Sequence, residues 1–336
     1  MSKENKKDTN SEIFCKKRVL LWPSTHIYWK LRLNICVSAS ERLRVHVRTN
    51  EIRKTRCHLI LRKGRGTMYA YEYSPKELLE GTLQYATLFY SIYTIAFYCS
   101  GYVFTSFNKL NAGERSVWGS SCNSLILSIW VPYLACTCGL RNEGKFLSYD
   151  YPLTWKNDDI ILIGKIMMGY FIADVIPCLY HTTGWGKDWY IFALHHISGG
   201  LYIHTCIKHG LGHGSILAMT MTEPTNFFNM MRFFFSKIQV KDGKSIAQRY
   251  PALNLANGIL FALGFVVLRI YGFTHIGWWT LYENAKEMHT LPIEFQVSIH
   301  FSFVVGVSMQ WYWMYKIAVG LWAILSGKKS KSKKAE

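Results

Sequence analysis

The chain has 336 residues, half of them hydrophobic and 15% aromatic, and a formal net charge of +18. At this length such a composition argues against a pair of ordinary soluble domains and for a polytopic membrane protein. The charge belongs to the ends: residues 1–70 hold 17 Lys/Arg against 5 Asp/Glu, residues 326–336 hold 5 against 1, and the stretch between is close to balance. That placement suits anionic lipid headgroups at the edges of a bilayer and argues against nucleic acid as the partner.

Residues 1–75 have no apolar face of useful length and are expected to be a basic, disordered extension. Their first apolar run, residues 19–22, is too short for the apolar region of a signal peptide. A bilayer core takes about 20 predominantly apolar residues of helix. This ruler predicts seven spans, at residues 83–104, 117–140, 160–180, 188–207, 215–235, 255–273 and 297–325. Backbone amides stay paired in hydrocarbon only in helices or closed barrels, so runs this long predict an all-α fold with about seven transmembrane helices. The third, fourth and fifth runs are joined by short links and are expected to be antiparallel neighbours. The sequence TEPTN, residues 222–226, interrupts the fifth run and marks it as the candidate for a re-entrant segment.

The nine cysteines form no C-x-x-C pair and no ligand spacing with histidine, and Cys99, Cys122, Cys136, Cys138, Cys178 and Cys206, which sit within apolar runs, read as buried free thiols. The sequence ends KKAE, and Lys333 and Lys334 resemble the dilysine retrieval signal of endoplasmic reticulum membrane proteins. That likeness implies an endoplasmic reticulum membrane location, a cytosolic C-terminus and recognition by coat protein. The alternative is a plain basic tail over residues 326–336.

An ionisable residue in hydrocarbon is expensive and is a functional hypothesis by default. In the third run Lys165 is close enough to the start to snorkel, whereas Asp174 lies deeper. Seven residues on, about 700° around a helix, His181 falls on nearly the same face, which predicts an Asp/His pair. In the fourth run His195, Ser198 and Tyr202 recur at i, i+3 and i+7 and form one polar stripe, while His196 points about 100° away. Gly199 and Gly200 make that helix thin, for close packing or for a ligand. The fifth run offers Glu223, Asn226, Asn229 and Arg232. Asp174, His195, His196 and Glu223 are expected to meet at one interior cavity as an acid/base site. The plainer expectation is interhelical hydrogen bonding without chemistry, and for isolated residues such as His204, His275 and His300 it is the one we adopt.

Four successive stretches, GYFIADVI (169–176), WYIFALHHISGGLYIH (189–204), MTEPTNFFNMMRFF (221–234) and NLANGILFALGFVVLRI (254–270), resemble the TLC domain. This is the family of translocation-associated membrane proteins, Lag-type ceramide synthases and Cln relatives. The likeness reaches upstream to LNAGERSVWGSSCNSLI (110–126) and covers residues 80–325. It implies a helical barrel around a lipid cavity, with Asp174, the His195/His196 pair and the Glu223 to Arg232 unit on the family's marked positions. The chain is most similar to TLC-domain proteins of lipid homeostasis. Ceramide synthases carry His-Asp and a further Asp where this sequence has Thr222, Glu223 and Asn226.

Three functions follow. The first is a lipid or acyl-chain binder acting in membrane lipid homeostasis, with Ser198, Tyr202, His181, Glu223, Asn226 and Arg232 against the lipid. The second is an acyltransferase of ceramide-synthase type using acyl-CoA as cosubstrate. There His195 or His196 is the general base or acyl acceptor, Asp174 or Glu223 orients the imidazole, and Arg232 pairs with a phosphate or carboxylate. The third is a di-iron hydroxylase or desaturase using His204, His209 and His213, for which the sequence is short of ligands. Neither a metal nor a resident cofactor is expected.

Overall fold

Each long helix starts or stops where the sequence supplies a physical reason. Pro75, whose missing N–H is an orphan donor at a helix start anyway, opens α1, Pro75–Val103. Asn111 and Glu114 form a reciprocal capping box at the start of α2, Ala112–Arg141: the Asn111 side chain accepts from the Glu114 amide at 2.9 Å and Glu114 accepts from the Asn111 amide at 3.1 Å. Asn157 caps α3, Asp158–Tyr180, by accepting from the Asp159 amide at 2.8 Å. The next helix, α4, Trp189–His209, ends on Gly210 at φ 61°, a left-handed position that glycine adopts freely.

The rest of the chain forms α5, His213–Thr220; α6, Pro224–Lys237; α7, Pro251–Glu283; and α8, Ile293–Leu325. Two stretches of α7 are π-helical, Phe265–Tyr271 and Trp279–Glu283. This computed structural model describes residues 74–147, 150–240 and 242–326, all within one compact unit. The expected extension, apart from its last two residues, and the retrieval signal at Lys333 and Lys334 lie outside the described residues.

Among the described residues the chain is helical, with only an isolated bridge between Gln239 and Ser245. By length and composition three helices, α2, α3 and α7, are apolar enough to cross a membrane. The fifth predicted run is not one helix. It is split into the 8-residue α5 and the 14-residue α6 by a turn at residues 221–223, because Pro224 has no N–H to continue a ladder and instead starts α6. The sixth run goes on to Glu283, ten residues beyond its predicted end.

The helix α3 packs on α1, α2 and α4, α4 packs on α8, and α6 lies between α2 and α7. Large apolar side chains on α7 such as Leu255, Leu263 and Val267 stay exposed, as on a surface that meets acyl chains. Lipid tails are as apolar as leucine, so helix contacts there rely on close packing, and small residues permit it. Gly169 of α3 lies against Tyr85 and the backbone of Ala86 on α1. Of the six described cysteines, all free, Cys138, Cys178 and Cys206 are buried, Cys122 and Cys136 are partly covered and Cys99 is exposed.

Two contacts fasten the loop before α3 to the α4–α5 link: the Asn157 amide donates to His213 Nδ1 at 3.1 Å and the Gly212 amide donates to the Leu153 carbonyl at 2.7 Å. His213 is 1% exposed, and burial pushes its ring down to about 4.

Two predictions follow from this packing. A β-carbon at residue 169 would lie 2.5 Å from Tyr85 Cβ and 2.7 Å from the Ala86 amide nitrogen. Gly169→Ala is therefore expected to destabilise by about 1–3 kcal/mol in detergent melts. Gly320→Ala, with no neighbour within 4 Å, should stabilise by up to about 1 kcal/mol through helix propensity. The second concerns pH. An unfolded histidine takes a proton near pH 6.5, whereas folded His213 resists it down to about 4. Its contribution is complete above about pH 6.5 and is lost as pH falls from there towards 4. The melting temperature should drop between pH 7.5 and 5, and His213→Gln should reduce that drop.

Candidate functional site

Helices α3, α4, α7 and α8, together with α5 and the turn that follows it, enclose a chamber of about 720 Å³ counting its mouth. The α4 stripe faces it: His195, Ser198 and Tyr202 all line the wall, with Gly199 between them. Most of that wall is apolar, with Met167 and Phe171 from α3, Phe273 and Ile276 from α7, and Ile299 and Phe303 from α8. The wall hydroxyls are largely spent on the protein. Ser198 Oγ donates to the His195 carbonyl at 3.0 Å, Ser302 Oγ donates to the Ser198 carbonyl at 3.0 Å, and the Tyr202 hydroxyl bonds to Ser215.

The polar part of the chamber is built by the helix break. Glu223 sits immediately before Pro224 and lines the wall, and its Oε2 accepts from Asn226 Nδ2 at 2.7 Å. Arg269, in the first π-helical stretch of α7, faces it with Nη2 at 3.7 Å from Glu223 Oε1, and its Nε donates to Thr225 Oγ1 at 2.6 Å. A separation of 3.7 Å is an ion pair without a hydrogen bond. Arg269 is 3% exposed, and its Nη2 has no hydrogen-bond partner among the described residues. The same holds for Oγ1 of Thr280, in the second π-helical stretch, which also lines the chamber.

A second polar centre lies between α2, α3 and α4. Asp174, 2% exposed, accepts from Ser120 Oγ and has the Tyr170 hydroxyl at 3.5 Å, while Tyr170 also bonds to Ser124 at 2.8 Å. His196 Nδ1 is 3.5 Å from Asp174 Oδ2, without hydrogen-bond geometry. The His196 ring stacks on Phe171 at 5.3 Å, and His195, 5.4 Å away, sits edge-on to Trp313 at 5.3 Å.

The expected single cavity is thus divided. His195, Ser198, Tyr202 and Glu223 share the chamber, whereas Asp174 and His196 are not among its lining. Asn226 reaches the site through Glu223. His181 does not pair with Asp174, because it lies past the end of α3 at φ −120°, ψ 46°, where helical spacing no longer applies, and it stacks on Phe97 at 5.9 Å. Arg232 is exposed, 5.2 Å above the Phe261 ring, and Arg269 occupies the place expected for it. Sequence reasoning missed Arg269 although it is the only charged residue in residues 254–273, the signal already applied to Asp174. Of the histidines considered for iron, His204 is exposed, His209 Nε2 lies 3.5 Å from Glu294, and His213 accepts from Asn157. Among the described residues no three His, Cys, Asp or Glu side chains are placed to hold a metal.

The family model of the TLC domain matches residues 114–319. No curated protein matches the chain.

Replacing Asp174 strips the buried Ser120 hydroxyl of its acceptor. Asp174→Ala should cost about 1–3 kcal/mol, read as a lower melting temperature in detergent. Asp174→Asn, which keeps an acceptor oxygen, should cost less.

Proposed function

The chain belongs to the TLC-domain family, and from that premise we propose that this helical membrane protein holds the acyl chain of a membrane lipid in its chamber and acts in lipid homeostasis. The observation that carries the reading is the lining of the chamber: apolar along most of its wall, with Glu223 and Arg269 at one place on it. Convergent polar groups in an apolar pocket suit a molecule that is mostly tail with one polar head.

The proposal includes residence in the endoplasmic reticulum, with a cytosolic C-terminus and coat-protein recognition. Its support is the likeness of Lys333 and Lys334 to a dilysine retrieval signal.

Acyl transfer from acyl-CoA is the second reading, favoured by one observation: an imidazole, His195, is exposed to the same chamber as Glu223. Binding is preferred because, of the two carboxylates that could orient an imidazole base, Asp174 is beside His196 and outside that chamber, and Glu223 is engaged by Asn226 and Arg269.

The test is to purify the full chain in mild detergent and extract what accompanies it. One acyl chain per protein is expected, with at least a tenfold loss in Leu281→Trp, which fills the chamber, and no loss in Leu263→Trp on the exposed face of α7. Acyl-CoA supplied with candidate acceptor lipids should give no product. Product from wild type, absent in a His195→Ala/His196→Ala variant, would replace binding by acyl transfer.

A further inference from the structure

We propose that the chamber selects an acyl amphiphile whose head carries an anionic oxygen, carboxylate or phosphate, and that Arg269 is the residue that binds it. This rests on the lipid-holding reading above and names the chemistry of the head.

The argument starts from cost. Arg269 lies eighteen residues from the start of α7 and fourteen from its end, the middle of an apolar helix, where a guanidinium is tolerated only with partners inside the protein. Its partners account for part of it. Nε is used by Thr225, and Glu223 supplies charge at 3.7 Å, too far for a hydrogen bond to Nη2. The Glu223 oxygen that does accept a hydrogen bond takes it from Asn226. A buried N–H donor without an acceptor thus belongs to a residue that lines the apolar chamber. An acceptor oxygen meets that need, and a planar carboxylate or a phosphate matches the forked geometry of a guanidinium.

Two further observations agree. Arg269 and Thr280, each with an unpartnered polar atom and each lining the chamber, fall in the two π-helical stretches of α7. Short π-helical stretches within α-helices recur at functional sites. Eleven residues at about 1.5 Å each separate the two groups by roughly 16 Å along the helix, so the chamber runs lengthwise away from the guanidinium. Secondly, Gly277 lies against Phe303 and Gly306 against Phe273, an antiparallel register that puts Gln310 at the depth of Arg269. Gln310 is 1% exposed and neither atom of its carboxamide has a partner among the described residues. Arg269 and Gln310 therefore bring unspent donors to one depth.

A competition series on the purified full chain tests this. Tritiated hexadecanol fills the chamber, and unlabelled hexadecanol, hexadecanoate in its ionised form, hexadecyl phosphate and inorganic phosphate displace it. Hexadecanoate and hexadecyl phosphate are expected to displace at tenfold or more lower concentration than hexadecanol, and inorganic phosphate should not displace at all. In Arg269→Gln the advantage should disappear, and in Arg269→Lys, which keeps the charge but not the fork, it should shrink. Equal displacement by acid and alcohol in wild type would overturn the head preference and leave lipid holding intact. Failure to retain any sixteen-carbon chain would instead overturn lipid holding. A preference that survives in Arg269→Gln would overturn the assignment to Arg269, and displacement by inorganic phosphate would overturn the need for a tail. The wild-type series decides the preference even where a variant fails to fold.

Discussion

A guanidinium midway along an apolar helix has no water to turn to, and the arrangement around Arg269 follows from that. Its counter-charge and its acceptor both come from one short stretch of chain, Glu223 and Thr225. That stretch is a helix start because Pro224 stops the ladder of the preceding turn. Both meet α7 at this helix start, and the π-helical stretch of α7 belongs to the same site. Removing one member of such a buried pair leaves a charge in a medium that solvates it poorly, a loss of about 3–5 kcal/mol.

The adjacent histidines divide the labour of α4. His195 belongs to the chamber and is held by ring contacts with Phe171, His196 and Trp313. His196 belongs with Asp174, Ser120 and Tyr170, where polar groups from three helices meet. One residue of separation on a helix is about 100° of rotation, enough to point neighbouring rings at different compartments. The Asp174 centre ties α2, α3 and α4 together, and the chamber opens on the other side of the same helix.

Much of this could be read from the sequence because the rules involved are local. Periodicity put His195, Ser198 and Tyr202 on one face, and the chamber lining contains all three. The TEPTN interruption marked the place where the structure has two helices in place of one. The failures involve distance along the chain. Counting seven residues from Asp174 to His181 assumed a helix that ends one residue too soon. Arg232 was preferred to Arg269 because it is near Glu223 in sequence, whereas pairing in a bundle depends on which helices touch, and α6 touches α7. The π-helical stretches have no signature in a pattern of apolar residues, and nothing local told the Arg269 backbone from an ordinary α-turn.

The distribution of satisfied and unsatisfied groups bears on specificity. Along the chamber the serine and tyrosine hydroxyls are bonded to protein, so the wall offers a passing chain mainly dispersion contacts. Such contacts discriminate weakly, since one methylene more or less in an apolar pocket is worth about 1–3 kcal/mol. An unspent buried donor discriminates strongly, because a ligand without the matching acceptor leaves that donor unpaired. Under the proposed lipid-holding function, a site whose unspent charged donor is Arg269 reads the head of its ligand closely and its tail loosely, with the Thr280 hydroxyl as a further unspent group along the wall.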